Sequence, residues 1–163
     1  MSFKRIALIM VLVLILSGMS ISAFGIGIAA GLEPLGGLPG SNMLLSIKPD
    51  GSPLLWGVGF TFGENLVSLG ITGDYWFANE PLIGFLNYYI GLGFYFGYTN
   101  VNDSNSVQLG GRIPIGLNVF PVSPLELFLE ITPTLTQVIS DPFVFPNFSF
   151  GLQGAIGLRL WSR

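Results

Sequence analysis

The chain contains neither cysteine nor histidine in its 163 residues. Without cysteine there is no disulfide framework, no lipidated cysteine after a leader and no thiolate nucleophile. Without histidine the commonest general base and the commonest metal ligand are both missing. Charge is scarce as well: only 9% of residues are Asp, Glu, Lys or Arg, against 50% hydrophobic. An ordinary soluble surface carries about a quarter charged residues, so this composition does not read as one. The basic residues do not cluster, so nucleic-acid binding has no electrostatic footing.

One long hydrophobic run does occur, at the N-terminus. Lys4 and Arg5 precede the apolar stretch Ile6–Leu16, and the small residues of Ser17–Ala23 follow it. That order is the n-region, h-region and cleavage zone of a secretory signal peptide, with residues 1–23 removed and 24–163 forming the mature domain. The competing reading is an uncleaved anchor helix. Cleavage leaves four basic and nine acidic residues, a net charge of about −5. Beyond this run, every apolar stretch is interrupted by Arg, Pro or dense Gly. Pro81–Tyr98 is uncharged, but its neighbour places Arg112 and Pro114 mid-segment, and a central Arg costs a spanning helix about 2.5–3.5 kcal/mol.

What the mature chain does have is alternation. In Leu86–Tyr98 one parity reads Leu86, Tyr88, Ile90, Leu92, Phe94, Phe96, Tyr98, and the other Asn87, Tyr89, Gly91, Gly93, Tyr95, Gly97. A period of two is the signature of a β-strand, whose successive side chains leave opposite faces. Eight such segments follow one another: Phe24–Leu32, Asn42–Lys48, Leu54–Phe62, Leu66–Phe77, Phe85–Tyr98, Val107–Phe120, Leu125–Leu135 and Phe148–Trp161. Between them stand Gly, Pro, Asn, Asp and Ser clusters suited to reversals. Longer connections (33–41, 99–106, 136–147) mostly alternate with short ones such as Pro49–Pro53 and Pro121–Pro124. Pro114 and Pro133 fall inside segments, where each removes a ladder hydrogen bond, and a bulge is expected at one or both.

Sorting the charges by parity gives the alternation a direction. The greasy parity of all eight segments carries none, whereas the other holds Lys48, Asp74, Arg112, Glu126, Glu130 and Arg159, three of each sign. A charge on a lipid face costs about 2–4 kcal/mol near mid-bilayer. The pattern therefore predicts an all-β, eight-stranded antiparallel up-and-down transmembrane barrel, greasy side out, with these six charges pairing in the lumen. Trp76, Tyr89, Tyr95, Phe128 and Trp161 share the inward parity, either filling space opposite glycines or lining a small apolar ligand site. Outward Trp56, Tyr75, Phe77, Tyr88, Tyr98 and Phe148 fit the aromatic girdles at headgroup depth. The structural competitor is a soluble lipocalin-like barrel with the greasy face inward, but an eight-stranded interior is too narrow for so many large side chains.

No catalytic, cofactor-binding or metal-binding residue emerges. Glu126 and Glu130 lie on one strand face about 13 Å apart at ~3.3 Å per residue, beyond the ~5–9.5 Å spacing of glycosidase carboxyls.

With strands so placed, the chain resembles small OmpA/OmpX-type eight-stranded barrels. More narrowly, Gly91–Tyr98 (GLGFYFGY), Gly110–Pro121 (GGRIPIGLNVFP) and Leu125–Leu135 (LELFLEITPTL) resemble little-characterised small outer-membrane barrels of the spirochaete type, with Arg112 and Glu126/Glu130 in the same inward register. The segment Gln153–Trp161 resembles a C-terminal assembly signal, though Ser162 and Arg163 follow the last aromatic. Outer-membrane barrel enzymes resemble the chain in architecture but depend on a histidine it lacks. The resemblance implies an exported monomer in the bacterial outer membrane, in contact with its lipid and with the barrel-assembly machinery during insertion. It implies a structural or adhesin-like surface role, with a host or surface ligand at loops 33–41, 99–106 and 136–147. A narrow porin-like channel is the alternative, and a soluble apolar-ligand-binding barrel a second.

Overall fold

The computed structural model describes residues 23–32, 42–62, 64–102, 104–140 and 148–162, most of them strand. The leader reading of residues 1–23 and the loop at 33–41 lie outside these, apart from Ala23. Nine strands form one antiparallel sheet: β1 (Phe24–Gly31), β2 (Met43–Pro49), β3 (Leu54–Phe62), β4 (Leu66–Ile83), β5 (Leu86–Val101), β6 (Ser104–Arg112), β7 (Ile115–Val122), β8 (Leu125–Ser140) and β9 (Phe148–Trp161). Each pairs with its sequence neighbour except around β6 and β7, and β9 pairs back onto β1, so the sheet closes into a ring.

The ninth strand corrects the expectation of eight, and Pro114 is the cause. Ile113 and Pro114 leave the strand conformation, splitting the expected segment Val107–Phe120 into β6 and β7. The register does not change across the gap. Arg112 faces Gly93 and Thr134, and Ile115 faces Ile90 and Ile131, so the same two neighbours flank both pieces without slippage. Proline has no N–H to donate, but its carbonyl still accepts from Gly91 N at 2.9 Å, and Ile113 N donates to the Pro133 carbonyl at 3.0 Å. Pro133 itself sits in β8 opposite Leu152 with no register shift. The bulges lie elsewhere, between Trp76 and Ala78, Pro81 and Ile83, and Val119 and Val122.

Strand also extends into three expected connections, 78–84, 99–106 and 136–147, of which 141–147 lie outside the described residues. Residues Ala78–Ile83 extend β4 to a tight turn at Gly84, where φ is +56°. The stretch 99–106 continues the β5–β6 ladder through Val101↔Ser104, and β8 runs on to Ser140. Polar residues such as Thr99, Asn100 and Asn105 read as loop, yet long-range pairing holds them in the ladder.

Closure fixes the ring's dimensions. Ile26 pairs directly with Leu160. Followed the other way round, through Ile47, Trp56, Gly73, Phe94, Gly111 and Leu135, the pairing arrives at Phe150, ten residues away on the same strand. A stagger of that size over eight paired segments tilts the strands by about 40° and gives a backbone radius of about 8 Å. Side chains fill such a space and leave no wide passage.

Burial alternates accordingly. Gly25, Gly27 and Ala29 are buried while Ile26 and Ile28 are exposed, and the same rhythm runs through β2, β3, β7 and β8. Most large apolar side chains, Trp56, Phe94 and Phe150 among them, face out; Thr, Ser, Gly, the aromatics Trp76, Tyr89, Tyr95 and Phe128, and the six charges singled out by parity face in.

Candidate functional site

The interior is built from a recurring triplet: a large side chain on one strand, a glycine beside it, and a polar partner one strand further on. Asp74 on β4 faces Gly93 on β5, which faces Arg112 on β6. The Asp74 carboxyl lies over the bare Gly93 backbone and would overlap a Cβ there. Across this gap Arg112 Nε comes within 3.2 Å of Asp74 Oδ1. The contact is ionic, since the two atoms are not aligned as a hydrogen bond. Tyr89, Gly116 and Glu130 repeat the arrangement across β5, β7 and β8. The Tyr89 ring lies flat over Gly116, and its hydroxyl donates to Glu130 Oε2 at 2.9 Å. Tyr95 reaches the Thr136 hydroxyl over Gly110 in the same way. In each triplet the glycine is the space into which its neighbour leans.

These contacts sort into two layers along the ring axis. In the first, Arg112 Nη2 donates to Glu130 Oε1 at 2.7 Å while Nε faces Asp74, so two carboxylates share one guanidinium, a formal net of −1. The Thr132 hydroxyl adds a third donor to Glu130, at 2.8 Å. The second layer holds Arg159, Glu126 and Lys48, a formal net of +1. Glu126 and Arg159 are directly opposite on β8 and β9 and pair at 2.8 Å. Glu126 also accepts from Asn118 Nδ2 at 2.8 Å and from Trp161 Nε1 at 2.7 Å. Lys48 Nζ donates to the Ser52 carbonyl, makes no ion pair among the described residues, and lies 5.0 Å from the centre of the Trp76 ring.

Between the layers Trp76 and Tyr89 stack with centroids 4.0 Å apart and planes 12° from parallel. Arg159 packs over Phe128 at 5.0 Å and over Trp76 at 5.6 Å. All six charged residues singled out by parity are thus inside and at most 6% exposed; Trp76, Tyr89, Tyr95 and Phe128 are buried with them, and Trp161 is half-buried. The two layers cancel, so the interior is neutral overall yet charged at each level.

Asn118, Thr132 and Thr136 join the site without standing out in the sequence. Their signal was inward parity in segments already bearing Glu126 and Glu130, but a neutral side chain on the inner face does not announce which carboxylate it serves.

The triplet makes one direct prediction. Gly116→Ala forces the Tyr89 ring away from its place over the strand and is expected to destabilise by about 1–3 kcal/mol, the usual cost of overpacking. The check is the shift in urea midpoint. In a Tyr89→Ala background the same glycine change is expected to cost far less, since the two residues occupy one space.

Among the described residues no cluster of acidic side chains has the arrangement of a metal site. No family model matches the chain, and no match emerges among curated proteins or solved structures. The functional reading rests on this geometry.

Proposed function

We propose that the chain is an integral outer-membrane β-barrel whose role is structural or surface-displaying, without catalysis. The observation that carries this reading is the inversion of its faces. Ion pairs fill the inside, while Ile26, Leu45, Phe94, Leu117, Leu129, Ile131 and Leu158 stand exposed around the whole circumference. A soluble monomer rarely exposes a contiguous apolar patch beyond a few hundred Å²; a continuous apolar girdle is what a bilayer solvates.

Its height also fits. At ~2.5 Å of axial rise per residue, the outward row from Phe150 to Leu160 on β9 covers about 25 Å, the height of an outer-membrane barrel's apolar band. The one charge on an outward position of β4 is Glu80, beyond the bulge and beside Tyr88, whose hydroxyl lies 3.4 Å from its carboxylate. That pair suits the band's edge. The short turns at 50–53 and Ser123–Pro124 lie at the same end as Ala23 and Ser162, as in barrels whose termini face the periplasm. The β5–β6 hairpin, turning between Val101 and Ser104, then lies at the opposite, outward end, where a surface ligand would meet it.

The packed interior favours this reading over a channel, because the stacked aromatics and ion pairs occupy the lumen. A soluble apolar-ligand carrier needs the opposite arrangement, greasy side in. The test is fractionation of cells expressing the full chain. The protein is expected in the outer-membrane fraction, with β-type circular dichroism in detergent and faster gel mobility unheated than boiled. Native protein recovered from the soluble periplasm would overturn the proposal.

A further inference from the structure

At the end of the ring that carries the termini the interior opens into a cavity of about 750 Å³. Its floor is the positive layer. Lys48 is 6% exposed, with one N–H held by the Ser52 carbonyl and no carboxylate partner among the described residues. An ammonium has three donors, so two remain. Glu126 also lines the cavity, but its charge is paired with Arg159 and its oxygens already accept from Asn118, Arg159 and Trp161. Asp50 stands at the exposed rim rather than on the floor.

The walls are of a different kind. Three side-chain amides line them: Asn79 and Asn87 from the two arms of the β4–β5 hairpin, and Asn118 from β7. Asn118 gives its N–H to Glu126 and keeps an acceptor oxygen without a partner. Trp161 donates its N–H to Glu126 and so presents its ring rather than its polar edge. Next to Asn79, β4 runs past the end of β3: the β3 pairing stops at Leu54↔Tyr75, and Trp76 N is taken by the Pro53 carbonyl.

We infer that this vestibule binds the C-terminal end of a short peptide, its carboxylate on Lys48 and its amide groups on the asparagines. A carboxylate matches the two free donors of Lys48 and the formal +1 of its layer, which among the described residues only Asp50 at the rim opposes, whereas a phosphate dianion would overshoot it. A primary amide offers a donor and an acceptor side by side, the pairing a peptide group itself presents. The indole and the Phe120 ring supply apolar contact for a small side chain. Lys48 therefore has a part beyond neutralising the interior. The inference goes past the barrel proposal and borrows only its orientation, by which the ligand would arrive from the periplasm.

The test uses the full chain, folded in detergent micelles with folding checked by heat-dependent gel mobility, and a Trp56→Phe background, so that only Trp76 and Trp161 emit. Trialanine is titrated against trialanine amide, read by fluorescence and by calorimetry. The acid is expected to give a saturable signal in the millimolar range or below, with the amide at least about tenfold weaker, about 1.4 kcal/mol. Lys48→Gln is expected to erase the acid's advantage, and Asn87→Leu to weaken both probes. Equal binding of acid and amide, or no saturable signal from either method, overturns the inference. If Lys48→Gln does not fold, the acid–amide comparison on the otherwise unchanged protein still decides. Should fractionation find the chain in the soluble periplasm, the same titration runs without detergent, so the two proposals fail separately.

Discussion

Arg112→Met is expected to cost about 3–5 kcal/mol of stability, the usual consequence of removing one partner from a buried ion cluster. The guanidinium is the only counter-charge within ion-pair distance of Asp74 and Glu130 among the described residues, and all three side chains are nearly inaccessible. Methionine fills much of the space but leaves two carboxylates facing each other in a medium that solvates neither. The expected readout is a large fall in urea midpoint for protein folded into micelles or liposomes, with an unchanged slope. The triple variant Asp74→Asn, Arg112→Met, Glu130→Gln is expected to recover most of the loss, since the penalty comes from unbalanced charge more than from missing attraction. A single variant within about 1 kcal/mol of the parent would contradict this account of the layer.

Ile131→Arg probes the other face. Ile131 is exposed on β8, opposite Ile115 and Gly154, midway up the apolar girdle. In a bilayer an arginine there is expected to cost about 2–4 kcal/mol; on a water-facing surface the change would stay within about 0.5 kcal/mol. Unfolding from liposomes measures the difference, and Ile131→Ala separates lost packing from charge. Near-neutral behaviour of the arginine variant would remove the main support for a membrane location.

Much of this was legible in the chain because a period of two is a local property. Parity alone placed Asp74, Arg112, Glu126 and Arg159 on one face and Ile26, Phe94 and Leu158 on the other. What parity cannot supply is register. That Arg112 meets Asp74 over Gly93, while Glu126 takes Arg159 directly, depends on how strands far apart in sequence align. The gap at Pro114 was visible as a missing donor, but not as a clean break that keeps the register on both sides. Strand ends are least legible where composition and pairing disagree: Ala78–Ile83, Thr99–Val101 and Ser104–Ser106 carry turn-like residues, yet neighbouring strands hold them in the ladder. The layered charge came from the same non-local alignment, so only its overall balance could be anticipated.

The closing seam sets an order of events. Every other pairing in the ring joins segments near one another in the chain, but β1 and β9 bring its two far ends together, finished by Phe24 N on the Ser162 hydroxyl at 2.9 Å and Ser162 N on the Phe24 carbonyl at 2.8 Å. Closing so long a loop costs about 2 kcal/mol more than closing a hairpin, so the seam is expected to form last. Until it forms, both edges carry unpaired donors and acceptors, which hydrocarbon does not tolerate. If the ring resides in a bilayer, zipping shut and entering the membrane are therefore one coupled step. A helper that lends a temporary strand to either open edge would act at the slowest point of the protein's assembly.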